Sequence, residues 1–426
     1  MKRKFSQKAE VRRDYYLRNN DMKFGNLTLL QEVEKPHAKS DIILEDLSTH
    51  PCCDHGPTIL FKRNSSEFYS CSAFRNRNQC SFYMKKTDFL KKSRSTKPEL
   101  SKQKPIRFVK NPKFFCHQCQ TLDSKGHENH QKETNPELLK RPSQILKNME
   151  DSKGQAQFHF SEESLNVIVN LVRKTKPSLI LFIGAPSVFE ELRSKGVESD
   201  LLVLDIDVRL GQFLSKEEFC HYNMFNHHFF DVESFDTFKT AISKRPRSVM
   251  IITDPPFGGR PELISHTFQS IKQDFECQDF HIVWIFPYFM EPKIKAACPN
   301  LEMSDYQVTY EKLGGYKEGQ EGNRNLGSPV RIFTNLSLKL IDLSHLPDQY
   351  RFCQTCQRYV AQTNRHCHDC QSCTAKNGGL YRHCHDCSRC VKFSWNHCSE
   401  CGRCALPDHP CQLFKEKRLQ NGSKNK

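Results

Sequence analysis

The chain has 426 residues, with 64 Lys and Arg against 49 Asp and Glu for a formal net charge of +15, and it carries 21 cysteines. Such a length exceeds one ordinary core and suggests two or three domains. No apolar run approaches the ~18 to 20 residues of a helical membrane span, and "MKRKFSQKAE" has no apolar segment of the kind a secretory signal needs, so no helical span or export route is expected and metal binding is a better use of the cysteines than disulfides.

Charge and cysteine are both concentrated at the ends. Residues 1–150 carry a net +13, residues 151–345 a net −5 and residues 346–426 a net +7. A polyanion would therefore meet the ends first. Residues 1–49 read as a flexible basic segment. Residues 50–90 hold Cys53-x-His55, Cys71 and Cys80, four ligands that suit tetrahedral zinc, with Cys52 as an alternative to Cys53. Between and just after the ligands lie Phe68, Tyr69, Phe74, Arg75, Arg77, Phe82 and Tyr83. Such an alternation of rings and guanidinium groups can stack unpaired bases while neutralising phosphates. The stretch resembles the GRF-type zinc finger, with Cys-x-His in place of that family's Cys-x-Cys start.

Residues 91–150 form a basic linker that continues the basic run of residues 85–113, "KKTDFLKKSRSTKPELSKQKPIRFVKNPK", and carries Cys116-x2-Cys119 and His127-x2-His130. Seven residues between the pairs leave no room for a base-reading helix, so these four read as a structural staple on one metal.

Residues 151–345 alternate strand-like and helix-like segments, which argues for a parallel sheet covered by helices in a Rossmann-like α/β core. The clearest strands are "SLILFIG" (178–184), "LLVLDID" (201–207), "SVMIITD" (248–254) and "HIVWIFP" (281–287). "PSVFEELRSK" and "PELISHTFQSIKQDF" read as helices that begin on proline. The first strand ends on Gly184-Ala185-Pro186, a poor phosphate loop, and the second carries Asp205 at the distance where an acid reaches a ribose. A ligand with a ribose, a sulfonium and no phosphate, S-adenosylmethionine, suits this pattern better than a dinucleotide.

The third strand stops on Asp254-Pro255-Pro256-Phe257, because consecutive prolines cannot donate to a ladder. Ligands of open α/β sheets bind at that end. If the Asp254 carboxylate and the Pro255 carbonyl each accept an N–H from adenine's exocyclic nitrogen, its lone pair is released for attack on a methyl group. Pro256 stiffens the loop, and Phe257 can stack on a base drawn out of its helix. His227 and His228 read as packed or capping side chains rather than as a metal or acid/base pair. "LGGYKEGQEGNRNLGS" (313–328) reads equally as a mobile loop over the pocket or as an ordinary long hairpin loop.

Residues 346–412 repeat His-Cys-x2-Cys-x2-Cys at 366, 383 and 397. An interleaved assignment uses every ligand: Cys353, Cys356, His366 and Cys373 at one zinc, then Cys367, Cys370, His383 and Cys390 at the next. Cys384, Cys387, His397 and Cys404 hold a third, and Cys398, Cys401, His409 and Cys411 a fourth. With the two N-terminal sites this makes about six zinc ions. The interleaving resembles the cysteine-rich region of Asp-His-His-Cys palmitoyltransferases in its metal fold alone. Cys52, Cys220, Cys277 and Cys298 remain as thiols, and residues 413–426 read as a disordered basic tail.

Taken together, "DIDVRLGQF", "CHYNMFNHHFFD", "TDPPFGG", "WIFPYF", "SPVRIFTN" and "RFCQTCQRYV", placed between the finger and the Cys/His repeats, resemble the zinc finger CCHC domain-containing protein 4 family of ribosomal-RNA adenine-N6 methyltransferases. The resemblance implies S-adenosylmethionine and a structured rRNA substrate held by the zinc modules. It implies ribosome-biogenesis proteins as further partners, and a nuclear and nucleolar location alongside the cytoplasm. It makes Asp254, Pro255, Pro256 and Phe257 catalytic and puts Gly184, Asp205, Tyr222, Asn223 and Met224 on the cofactor wall. It also places Gln157, Phe158, His159 and Phe160 where related enzymes have a cofactor segment. The family's Cys-x2-Cys-x4-His-x4-Cys knuckle does not occur in this sequence, and the basic tail is expected to substitute for it in part. Two other classes fit the same residues: an RNA-binding zinc adaptor without catalysis, and a methyltransferase for DNA adenine or protein glutamine.

Overall fold

The computed structural model describes residues 40–74, 76–92, 108–123, 129–147, 159–311, 328–409 and 411. Arg75, His127, Gln157, Phe158, the glycine-rich loop apart from Ser328, and the basic tail lie outside the described residues.

The elements of the central unit are numbered in chain order. They are α1 (Glu162–Thr175), β1 (Leu179–Ile183), α2 (Pro186–Ser194), β2 (Asp200–Asp205), β3 (Phe219–Asn223), β4 (His228–Phe229) and α3 (Val232–Ser243), followed by β5 (Ser248–Thr253), α4 (Pro261–Phe275), β6 (Asp279–Pro287), α5 (Glu291–Ala297), β7 (Glu302–Met303) and β8 (Val330–Thr334). Local chemistry sets the boundaries. Ser161 caps α1 by accepting from the Ser164 N–H, Lys176 closes it in the left-handed conformation, and α2 and α4 each begin on proline.

One eight-stranded sheet runs β4-β3-β2-β1-β5-β6-β8-β7. The pairs from β3 to β6 are parallel, while β4 and β8 are antiparallel to their neighbours. The expected parallel sheet is therefore a mixed one. The difference arises because residues 304–308 carry the chain along β8 toward the carboxyl edge, donating from Ser304 to Ile332 and from Val308 to Val330. From that edge β8 re-enters between β6 and β7 and can only run backwards.

Alternate residues of each central strand enter opposite cores, as period-2 geometry requires. Ile180, Phe182, Met250, Ile252, Val283 and Ile285 pack with α1 and α2 on one face. Leu181, Ile183, Val249, Ile251, Trp284 and Phe286 pack with α3, α4 and α5 on the other. The result is three layers, helix, sheet and helix.

Three smaller units dock on this centre. A four-stranded antiparallel sheet over residues 41–85 packs Leu47 and Ile59 on Leu263 of α4. The segment around Phe115 is held by Gln212, whose side chain accepts from Leu122 N–H at 3.1 Å and donates to Gln120 carbonyl at 3.2 Å. Beyond β8 come four two-stranded hairpins, with strands at Tyr350–Cys353 and Arg358–Ala361, His366–Cys367 and Ser372–Cys373, Tyr381–Cys384 and Arg389–Lys392, and Asn396–Cys398 and Arg403–Ala405.

Asp305, beside β7, is the pin between hairpins and sheet. It accepts from Asn364 Nδ2 at 2.6 Å and from Ala361 N–H at 3.1 Å, with the Arg358 guanidinium 3.9 Å away. Asn364 is 1% exposed and also exchanges two hydrogen bonds with Ala375. Asn364→Ala removes one of the Asp305 hydrogen bonds and leaves the Ala375 N–H and carbonyl without their partners in a dry interface, at a cost of about 2 to 3 kcal/mol. Limited proteolysis should then release the hairpins before the central unit is cut, whereas the wild-type chain should lose both together.

Candidate active site and metal centres

Strand register assembles the site. Ile183 pairs with Leu204 on one side and with Thr253 on the other, so Gly184 stands level with Asp205 and Asp254 at the carboxyl ends of three adjacent strands. The strand order reverses there, which is where open α/β sheets leave a crevice. Gly184 has φ +63°, and a Cβ on it would lie 2.7 Å from Met224 Cε and 3.7 Å from the Asp254 carbonyl. The left-handed backbone favours glycine there, and any side chain would also have to push aside the tip of Met224. Of the expected site residues, Gly184, Asp205, Met224 and Asp254 are thus brought together.

The Asp254 side chain retains some contact with solvent but sits deep in the structure, and burial pushes its carboxyl up to about 8. The influence drawing it back down is the Tyr310 hydroxyl, which lies 3.2 Å from both carboxylate oxygens. Tyr310 packs in turn on Phe160, ring centroids 4.9 Å apart, and pairs with it in an isolated β-bridge. Asp205 is buried, accepts from the Asp207 N–H at 2.8 Å, and is raised by burial to about 7. The loop beyond Asp254 folds tightly: Gly259 donates to the Pro256 carbonyl at 2.6 Å, and half-buried Phe257 stands edge-on to Phe286 at 6.2 Å. Two desolvated carboxylates flanking a glycine turn, with an aromatic ring beside them, suit a ligand that carries positive charge and hydroxyl groups.

Two expected wall residues are engaged elsewhere. Tyr222 is 1% exposed in the core beneath α3 and α4, its hydroxyl 2.6 Å from His227 Nδ1. Asn223 donates to the His55 carbonyl at 2.8 Å and to Ser72 Oγ at 2.9 Å, which ties the N-terminal sheet to β3. Asn226 repeats the tie through the carbonyls of His55 and Pro57. His159 lines a polar cavity of about 300 Å³ with Phe160, Ser187, Glu190 and Glu311, beside α2 and apart from Gly184, Asp205 and Asp254. His227 sits between Tyr222 and Asp274, and His228 lies against Gly56, so both histidines pack and neither faces Asp254.

Cysteine and histidine side chains gather into groups able to hold a metal ion. In the first, Cys53, His55, Cys71 and Cys80 come together, and Cys52 turns aside toward the His50 carbonyl. In the staple, His130 Nδ1 lies 3.4 Å from Cys116 Sγ and 3.5 Å from Cys119 Sγ. The C-terminal groups are Cys353, Cys356, His366 and Cys373; Cys367, Cys370, His383 and Cys390; Cys384, Cys387, His397 and Cys404; and Cys398, Cys401, His409 and Cys411. Within each of these four, and in the first group, the ligand atoms lie within 4.8 Å of one another.

The hairpins explain the interleaving. His366 pairs across its hairpin with Cys373, His383 with Cys390, and His397 with Cys404. The residue after each histidine is the first cysteine of the next hook, and strand geometry points it to the opposite face. One hairpin therefore serves two sites. Each hook is followed by a residue with positive φ, namely Gln120, Gln357, Gln371, Ser388 and Gly402. The bend turns backbone N–H groups toward the hook's first sulfur. The N–H of Cys370 holds the Cys367 thiol below its ordinary range, and that of Cys401 lowers Cys398 to about 7.

Sequence reasoning missed Tyr310 and Asn226. Asn226 carried a signal only in lying within the asparagine-rich "YNMFN", and Tyr310 carried none, because its role depends on the antiparallel return of β8.

Fold and site together define the class, an adenine-methyltransferase type of α/β unit set among Cys/His metal modules. A family model described as probable N6-adenine methyltransferase matches residues 150–335. The human rRNA N(6)-adenosine-methyltransferase ZCCHC4 is 39% identical over 405 residues, covering 85% of this chain and 78% of that protein. The mouse protein of the same name is 39% identical over 74% of this chain and 70% of its own length, and the Xenopus tropicalis protein 37% identical over 76% and 74%. The chain belongs to the ZCCHC4 family.

Raising a buried carboxyl has a consequence for stability. With a folded value near 8 against about 4 unfolded, Asp254 binds more protons in the folded state between those values, so its contribution to stability falls as pH rises through that window. Asp254→Asn should raise the melting temperature at pH 8, with the gain shrinking to nothing as the pH is lowered toward 4. An equal gain at both ends would contradict the burial of a carboxylate at this position.

Proposed function

We propose that this chain is an S-adenosylmethionine-dependent methyltransferase that acts on N6 of an adenosine in large-subunit ribosomal RNA, with its metal modules gripping the RNA. The observation that carries the reading is the placement of Asp254-Pro255-Pro256-Phe257 beside Gly184 and Asp205, on a chain whose relatives are named for this reaction.

S-adenosylmethionine, when bound, supplies a methyl group on a positively charged sulfur. Asp205 accepts from ribose hydroxyls, and the bend at Gly184 lets the ligand approach the backbone. Asp254, as the carboxylate, accepts one N–H of the adenine amine, and the Pro255 carbonyl accepts the other. Both contacts favour a nitrogen whose lone pair projects out of the ring plane, and such contacts contribute most where water is excluded. Tyr310 fixes the orientation of the Asp254 carboxylate while leaving acceptor capacity on both oxygens. Phe257 stacks on the flipped base. No general base is needed, because the proton leaves to solvent after the new bond has formed.

Zinc is the metal that the Cys/His groups suit. A tetrahedral site with ordinary Zn–S and Zn–N lengths has ligand edges of about 3.6 to 3.8 Å. The Cys370–Cys390 and Cys387–Cys404 sulfurs lie 3.8 and 3.6 Å apart. On the N-terminal sheet, the Arg77 guanidinium sits 4.7 Å from the ring of Tyr83, a pair suited to a base and its phosphate. A ribosomal-RNA substrate supports a nuclear and nucleolar location alongside the cytoplasm, with ribosome-assembly proteins as partners.

Labelled S-adenosylmethionine offered with total RNA, DNA and protein should mark RNA alone, in N6-methyladenosine of the large-subunit rRNA. Asp254→Ala should remove at least a hundredfold of that rate, by analogy with the loss of one pre-organised polar contact, while RNA affinity stays within twofold. Label in protein or DNA would redirect the substrate assignment, and a wild-type chain that binds RNA without labelling it would leave an adaptor. Elemental analysis should find about six zinc ions per chain. Chelation should unfold the C-terminal hairpins while the central sheet stays intact by circular dichroism.

A further inference from the structure

Several large side chains remain in water, where they serve no core. Phe289 is 60% exposed, Phe393 64% and Leu380 54%. Phe289 lies in the turn Tyr288–Met290 directly after β6. Because Thr253 pairs with Trp284, that turn stands just beyond Asp254 on the same edge of the sheet.

The third hairpin begins beside this turn. Lys376 forms an ion pair with Glu291, and its carbonyl accepts from Arg331 Nη2 at 3.2 Å, while the Arg331 guanidinium lies 5.6 Å from the ring of Tyr288. Four residues further on, a span of at most ~14 Å, the Leu380 carbonyl accepts from the Phe393 N–H at 2.9 Å. There the Arg382 guanidinium lies 5.7 Å from the centre of Phe393, and the Lys392 ammonium 5.6 Å from that of Trp395. Arg382 is pinned by bonds to the Trp395 carbonyl and Asn396 Oδ1. An exposed ring, Phe393, and a half-buried one, Trp395, each with a cation beside it on a segment with net charge +7, match a partner that is flat and anionic.

We propose that Phe289 and the Arg382–Phe393 and Lys392–Trp395 pairs form a stacking track for unpaired RNA nucleotides on one side of the target adenosine. The track rests on the functional reading above, which places RNA at Asp254. It runs from the rim of the site onto the hairpin between the second and third C-terminal metal groups. Each ring carries a base, and each adjacent cation faces the phosphate that follows.

The test is anisotropy of the full-length protein with a labelled single-stranded oligoribonucleotide of about 12 nucleotides, and with the same strand in a duplex. Phe393→Ala should weaken single-strand binding roughly tenfold, and Phe289→Ala combined with it should weaken it further. Phe393→Tyr should restore the affinity, Phe393→Leu should not, and duplex affinity should stay within twofold throughout. Both rings project into solvent, so zinc content and melting temperature should match wild type and exclude unfolding as the cause. Unchanged single-strand affinity in Phe393→Ala, full rescue by leucine, or an equal loss for duplex would overturn the track. The outcomes separate from those of the functional reading: a wild-type chain that methylates RNA while Phe393→Ala binds normally refutes the track alone, and ring-dependent binding without methyl transfer refutes the activity alone.

Discussion

The register of β1 against both of its neighbours is the constraint on which the site depends. A strand buried on both faces carries apolar side chains in either direction, so alternation of polarity cannot fix how it pairs. Polar groups at the strand ends do so instead. Ser178 N–H donates to Ser248 Oγ at 3.0 Å where β1 and β5 begin, and Thr253 Oγ1 donates to the Ile183 carbonyl at 2.8 Å where they end. A slip of one residue would break both bonds and carry Asp254 away from Gly184 and Asp205. The diproline then prevents β5 from continuing, so the acid that follows Thr253 has nowhere to go but the crevice.

Much of this was legible from local chemistry. Consecutive prolines end a strand whatever surrounds them, and the strand-to-strand spacing of Gly184 and Asp205 follows from one helix and two turns. The Cys/His groupings were legible for a related reason, since a hook of four residues and a histidine opposite a cysteine are short-range facts. Tyr222 and Asn223 show where such reading stops. They adjoin Met224, which does approach Gly184, but β-strand alternation sends Tyr222 into the core, and the Asn223 amide is drawn to a carbonyl more than 160 residues earlier in the chain. Tyr310 reaches Asp254 across 56 residues through an antiparallel return that no sequence period announces. The parallel-sheet expectation erred on the same element.

The peripheral units are joined to the centre by directional polar contacts as well as by apolar area. Asn223 and Asn226 grip the carbonyl of a residue in the first metal group, Gln212 bonds Gln120 and Leu122 at the staple, and Asp305 with Asn364 locks the hairpins. Buried amides of this kind discriminate sharply between one orientation and its neighbours, because any rotation leaves a donor or acceptor unpaired. Gly56 adds a steric limit, since a Cβ there would fall 2.4 Å from His228. The basic and aromatic surfaces at both ends are thereby held at fixed offsets from Asp254, as positioning a single base in a large substrate requires.

Because each C-terminal hairpin after the first contributes to two metal groups, the array behaves as a string of shared links rather than as separate beads. Extracting one ion loosens the clasps that share its hairpins, and of the two terminal links the one at Cys398, Cys401, His409 and Cys411 lacks the Asp305 anchor that holds the other. Dissolution of the string therefore starts at that outer end and travels inward, arriving last at the link nearest Asp305, so the surface closest to the catalytic edge keeps its shape longest when metal becomes scarce.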